Sequence, residues 1–150
     1  MPDKVRVFLD TSALFAGVWS ALGGARMILK LGETGVIQLL ISPHVLTEVE
    51  GALRRKAPEI LDLLRMLLSR SQVEIVPVPS QDVVRASFEL THHTGDAQVL
   101  AAAWQTGINY LVTLDYQHFL NNAPLRDLVP FPIGTPGDFL AWYRARITSS

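Results

Sequence analysis

Val5-Arg6-Val7-Phe8-Leu9-Asp10-Thr11-Ser12 decides how the rest of the chain is read. Val5 to Leu9 is an apolar, β-branched run, and Asp10 with two hydroxyl residues closes it, which is a strand signal ended by turn chemistry. Further strand-like runs occur at residues 36–41, 73–76 and 110–113, with residues 129–133 a candidate fifth. Pro130 and Pro132 donate no ladder hydrogen bonds, which confines that fifth run to an edge. Helical signals fill the intervals. Ser42-Pro43 offers an N-cap followed by proline at the first helical position, opening a helix to about residue 56. Pro58 opens another through residue 68, and residues 80–90 and 96–106 form two more. Thr135-Pro136-Gly137-Asp138 has the form of a capping box, with aspartate in place of glutamate, before a helix over 139–147. Strand–helix alternation with short connections predicts one α/β domain, a parallel sheet covered by helices on both faces. No internal repeat, low-complexity tract or linker interrupts residues 1–150. Gly23-Gly24 reads as a loop, without the spacing of a phosphate-binding fingerprint.

The composition narrows the function classes. The 150 residues are 49% hydrophobic and 18% charged, which is globular and not disordered. Mean hydropathy is +0.25, consistent with a partner covering part of the surface. No apolar run reaches the ~20 residues that span a bilayer. The run at Val7 stops at Asp10, short of the about 7–15 residues of a secretory signal, so the expected location is the cytoplasm. Without cysteine there is neither a disulfide framework nor a thiolate metal site. A formal net charge of −1 argues against a dedicated duplex-DNA binder.

Two acids fall at strand ends, where open α/β sheets bind ligands. Asp10 follows the first strand and Asp115 the fourth, although aspartate also suits ordinary turns. Asp96 projects near the centre of the apolar stripe made by Val99, Leu100 and Ala103, a costly direction for an unpaired carboxylate. Glu48 and Glu50 flank the stripe Val45, Leu46, Val49, Ala52 and Leu53 symmetrically, and periodicity does not choose between them. Carboxylates brought together repel and raise one another's pKa values, a strain that a divalent cation relieves. An oxygen-rich, cysteine-free cluster suits Mg²⁺ or Mn²⁺, and such ions serve phosphodiester hydrolysis.

In this setting the chain resembles the PIN domain family, a metal-dependent ribonuclease fold common among bacterial and archaeal toxins. The matching pieces are residues 7–12, Ser42-Pro43-His44-Val45-Leu46-Thr47-Glu48, residues 95–103, Thr113-Leu114-Asp115-Tyr116-Gln117-His118-Phe119 and residues 134–140. The resemblance implies a three-layer, Rossmann-like sheet with strand order 3-2-1-4-5. It selects Glu48 over Glu50, and makes Asp10, Glu48, Asp96 and Asp115 the catalytic and metal-binding set. It also implies auxiliary roles for Ser12 and Thr113, RNA as substrate, and products with 5′-phosphate and 3′-hydroxyl ends. An antitoxin protein and a second copy of the chain are the implied partners.

Other features carry plainer expectations. Arg54, Arg55 and Lys56, with Arg26 and Lys30, are candidate RNA contacts, although basic residues at a helix C-terminus also complement its dipole. His92 and His93 precede Asp96, and imidazole is a common metal ligand, so a mixed site is one reading; the plainer one is a polar loop, since Mg²⁺ prefers oxygen, and His44 and His118 read the same way. Trp19, Trp104 and Trp142 read as packing residues. Two competitors to a nuclease are a binding module that kept the fold without activity, and a phosphoacceptor receiver-like domain. The second normally carries a lysine after its last strand, and residues 129–137 contain none.

Overall fold

The computed structural model describes residues 4–149. Five strands form one sheet: β1 (Val5–Leu9), β2 (Ile37–Ile41), β3 (Glu74–Ile75), β4 (Tyr110–Val112) and β5 (Ile133–Gly134). Every neighbouring pair is parallel, and the order is β3-β2-β1-β4-β5. Eight α-helices surround it: α1 (Thr11–Trp19), α2 (Gly24–Thr34), α3 (Pro43–Lys56), α4 (Leu61–Arg70), α5 (Gln81–Thr91), α6 (Thr94–Thr106), α7 (Ala123–Leu128) and α8 (Pro136–Thr148).

The topology follows from the handedness of parallel crossovers. The chain runs outward from β1 to β3, crosses back to β4 and continues to β5. Right-handed connections therefore send the crossover helices before β3 to one face and those between β3 and β5 to the other, while α8, after the last strand, packs back on α2. Accordingly α1 packs on α2, α3 and α4, whereas α5 packs on α6 and α7. The strand order reverses between β1 and β4, and the crevice beyond their carboxyl ends is the switch point of the sheet. Phe8, Leu39, Leu40, Leu111 and Val112 lie in the sheet, fully buried against Leu14, Ile28, Leu53, Leu100 and Phe139 of the helices. Each such side chain contributes about 1.5–3 kcal/mol on leaving water.

The caps explain where several helices begin. Ser42 accepts the Val45 N–H at 3.1 Å, with Pro43 opening α3. Thr135 and Asp138 form the reciprocal capping box of α8, at 3.0 and 3.1 Å. Gly32 is required where α2 lies on the sheet: a Cβ there would fall 2.5 Å from Leu39 Cδ1 and 2.8 Å from the Ser71 carbonyl.

Four features depart from the sequence reading. α1 is nearly all apolar and buries Ala13, Leu14, Gly17 and Val18, so it presents no polar face whose period marks a helix. α2 begins at Gly24, with Gly23 as N-cap, so the glycine pair is a helix start as much as a loop. The segment opened by Pro58 is a 3-10 turn (Pro58–Ile60) that leads into α4. The fifth strand is confined to Ile133–Gly134 at the sheet edge, reached through the unanticipated α7; Pro132 precedes it and offers only its carbonyl, to the Leu111 N–H at 3.0 Å. Among the described residues no single helix is long and apolar enough to cross a membrane.

Candidate metal centre

The pairing of β1 with β4 builds the first part of the site. Leu9 lies opposite Val112, so Asp10 falls beside Thr113, and the Asp10 N–H donates to the Val112 carbonyl at 3.1 Å. Asp10 is the N-cap of α1. Its Oδ1 accepts from the Ala13 N–H at 2.8 Å and from Ser12 Oγ at 2.7 Å, while Oδ2 accepts from Thr113 Oγ1. The two hydroxyls pass the constraint onward. Ser12 Oγ accepts the Leu114 N–H and Thr113 Oγ1 the Asp115 N–H, both at 2.9 Å. One network therefore ties Asp10 to the backbone that carries Asp115.

Asp10 is only 4% exposed, and burial pushes its carboxyl up from an ordinary 3.8 to about 6. Hydrogen bonds from Thr113, Ala13 and Ser12 oppose that rise, and the charge of Asp115 adds to it. Asp96 sits in the first turn of α6, half-buried, with its carboxyl also held above the ordinary range. Burial is the main cause, followed by the charge of Asp115; Glu48 adds to the rise, and His118 and His93 act against it. Asp10 thus feels the charge of Asp115, and Asp96 that of Asp115 and Glu48.

Asp115 caps a π-turn, Tyr116–Leu120, and its Oδ1 accepts the His118 N–H at 3.0 Å. The turn swings His118 back over the acids, where its Nδ1 lies 3.0 Å from Asp115 Oδ2 and 2.9 Å from Asp96 Oδ2. Only the contact with Asp115 has hydrogen-bond geometry. His93, the N-cap of α6, brings Nδ1 to 3.1 Å from the same Asp96 oxygen, again without a hydrogen bond. Asp96 Oδ2 is consequently a buried acceptor without a donor. Ligand atoms of Asp96, Asp115 and His118 lie within 4.8 Å of one another. An orphaned carboxylate oxygen facing a second carboxylate and an imidazole fits a divalent cation, whose positive charge takes the place of the missing donor.

The remaining acids separate cleanly. Glu48 turns to the site, where its Oε1 accepts from Thr11 Oγ1 at 2.7 Å and lies 3.0 Å from His44 Nε2. Glu50 turns away and pairs with Arg54 at 3.4 Å. Asp10, Glu48, Asp96 and Asp115 all line one cavity of about 450 Å³, together with Ser12 and Lys56.

Of the basic residues expected at RNA, Lys56 alone lines this cavity. Arg26 is used by the fold: its guanidinium donates to the carbonyls of Gly17 at 2.6 Å and Val18 at 3.1 Å, closing the end of α1. Arg54 is held by Glu50, and Arg55 and Lys30 are exposed away from the acids. Sequence reading missed His118. Its signal is the spacing Asp115-Tyr116-Gln117-His118 just after a strand, which places the imidazole over the capping carboxylate. Trp142 packs on Tyr110 and Phe139 and Trp104 rests on the core, as expected, but Trp19 is 51% exposed.

Without divalent metal, Asp96→Asn is expected to raise the melting temperature, because it removes a buried charge facing Asp115. The rise should be about 2–4 °C for each kcal/mol relieved. A clear fall in a calorimetric scan at pH 8 would show that the contacts with His93 and His118 outweigh the repulsion.

Fold and site together define an α/β protein with a carboxylate-lined crevice at its switch point. The chain belongs to the PIN domain family, whose model matches residues 6–117. Among solved structures it is similar to VapBC2 from Rickettsia felis, determined bound to a DNA fragment from their promoter. The TM-score is 0.64 at 18% identity, over 87% of this chain and 97% of that one. It is also similar to PAE2754 from Pyrobaculum aerophilum, with a TM-score of 0.63 at 23% identity, over 94% of this chain and 90% of that one. No curated protein matches the sequence.

Proposed function

We propose that residues 1–150 form one divalent-metal-dependent endoribonuclease domain, with Asp10, Glu48, Asp96 and Asp115 as its catalytic, metal-holding acids. The observation that carries this reading is the buried Asp96 Oδ2, which makes no aligned hydrogen bond and lies within reach of Asp115 and His118. Family membership supports it, since PIN-domain relatives are nucleases. Mg²⁺ or Mn²⁺ bound there supplies an activated water and neutralises charge on the phosphate. Asp96 and Asp115 are its nearest holders. Asp10, clamped by Ser12, Thr113 and the Ala13 N–H, keeps a fixed carboxylate behind them. Thr11 steadies Glu48 at the cavity wall. His118 orients Asp115 from its Nδ1. Hydrolysis in this arrangement leaves a 5′-phosphate and a 3′-hydroxyl.

The reading extends to the toxin of a toxin–antitoxin pair, supported by likeness of fold to VapBC2. The antitoxin and a second copy of the chain are its protein partners, and the cytoplasm is its location. Leu22, 98% exposed, and Met27, 47% exposed, give such partners an apolar surface beside Tyr143.

The test is cleavage of single-stranded RNA by the Mg²⁺- or Mn²⁺-loaded chain beside Asp96→Asn. Cleavage by the parent and its loss in the variant are expected. Equal cleavage by both would mark a contaminant. No cleavage, with no heat of Mn²⁺ binding by calorimetry, would favour the inactive binding module.

A further inference from the structure

We propose that Phe15, Trp19 and Lys56 form a nucleobase platform, which stacks an unpaired base of the RNA beside the bond to be cut. The proposal rests on the reading above in taking RNA as the ligand. It concerns a wall of the cavity that meets the four acids only at Glu48.

Two helical stripes make that wall. Thr11 and Phe15 on α1, and Glu48, Ala52 and Lys56 on α3, recur every four residues and line the cavity; Trp19, the next step along the same α1 face, stands outside that lining and stacks on Phe15. The stripes meet at both ends. Near the acids, Thr11 Oγ1 donates to Glu48 Oε1 at 2.7 Å. At the far end, Lys56 Nζ stands 5.3 Å from the centroid of the Phe15 ring. Ala52 is the small residue between the two ends of the α3 stripe, and it lines the cavity. The cleft therefore joins carboxylates at one end to an aromatic ring and an ammonium at the other. Four residues of helix, about 6 Å, separate Thr11 from Phe15, the scale of a single nucleotide step.

The aromatic pair is arranged for stacking. The Phe15 and Trp19 rings are 5.4 Å apart and 15° from parallel, although aromatic pairs adopt edge-to-face contacts as readily. Trp19 remains 51% exposed at the last position of α1, so half of its surface adds nothing to the core. Lys56 occupies the ring at small gain, since a cation–π contact at an exposed site is weak. A base stacked on the same ring gains more, enough to displace the ammonium. The freed Lys56 then meets the phosphate, which otherwise faces four acids. A base held in a duplex cannot reach a ring on a cleft wall, so the platform selects unpaired RNA. An apolar or cationic side chain of a protein partner is the other occupant such a wall admits.

The parent chain, Phe15→Leu and Trp19→Ala are titrated with short single-stranded RNAs carrying 2-aminopurine at each position in turn. The same RNAs with an abasic ribose at that position run beside them. Ca²⁺ replaces Mg²⁺ to slow hydrolysis. Quenching at one or two adjacent positions is expected. Removing the base there should weaken binding by the parent about 10-fold, but by Phe15→Leu less than about twofold, because the ring it met is gone. Phe15→Tyr should restore the base dependence. Trp19→Ala, at an exposed position, keeps the comparison open if Phe15→Leu folds poorly. Equal weakening of base-bearing and abasic RNA by both variants would overturn the platform and leave a structural or protein-binding wall. Duplex RNA bound as tightly as single strands would overturn it too. A parent that cleaves without base-dependent binding retires the platform alone. A parent that binds with base dependence but does not cleave retires the nuclease reading alone.

Discussion

Asp10→Asn is expected to cut RNA at least about 100-fold more slowly than the parent and, without divalent metal, to be the more stable of the two above pH 6. The first half follows from what a metal-held carboxylate supports. Lewis-acid stabilisation of a phosphoryl transition state is worth several kcal/mol, and each 1.36 kcal/mol is tenfold in rate, so losing about 3 kcal/mol costs more than 100-fold. The second half follows from burial. Asp10 holds its proton to about 6 in the fold but to about 3.8 in the open chain. Between those values the folded state binds more protons than the unfolded one, so stability falls as pH rises. The gap corresponds to about 3 kcal/mol, fully present as a penalty above pH 6 and absent below about 4. Asparagine caps helices as well as aspartate does, so α1 keeps its start. Urea unfolding in metal-free buffer from about pH 4 to 8 measures the difference. A variant weakened equally at every pH would mean that the Thr113 and Ser12 hydrogen bonds require the carboxylate itself.

Thr113→Val should cost about 2–4 kcal/mol. The side chains have nearly the same shape, but Thr113 is fully buried and its hydroxyl serves two partners. Valine leaves Asp10 Oδ2 without a donor and the Asp115 N–H without an acceptor, each loss costing about 1–3 kcal/mol. The Thr113 hydroxyl is also the strongest of the groups that hold the Asp10 carboxyl down, so the carboxyl moves further above 6 in the variant. Its metal-free stability then keeps falling with pH past the point where the parent's levels off. Thr113→Ser keeps the hydroxyl and should recover most of the loss. A valine variant with the parent's denaturation midpoint at pH 5 and pH 8 would remove the hydroxyl bridge from the account.

Both effects come from contacts across the sheet, and this is where sequence reading reached its limit. The strand ending in Asp10, the Ser42-Pro43 helix start and the capping box at Thr135 and Asp138 were legible, because each is a signal within a few residues. Asp96 was legible as an inward acid because one helical period fixes its direction. Glu48 and Glu50 were not separable that way, since both flank the same stripe. The resemblance chose Glu48; in the structure Glu48 meets Thr11 and Glu50 pairs with Arg54. α1 was missed because a helix buried on several sides loses the polar face that marks its period.

By itself, then, the sequence determined the strand segments, the helices that show an apolar period or a cap, and which strands end in acids, since backbone preference and apolar period act over one or two turns of chain. The tertiary structure alone decided which acids meet. Asp10 and Thr113, far apart in sequence, touch only because β4 pairs in parallel with β1, with Leu9 opposite Val112. His118 reaches Asp96 only because a π-turn after β4 swings it back. Phe15 meets Lys56 only because α1 and α3 pack side by side. These contacts depend on register and helix packing, set by burial of the whole core, and no local period encodes them.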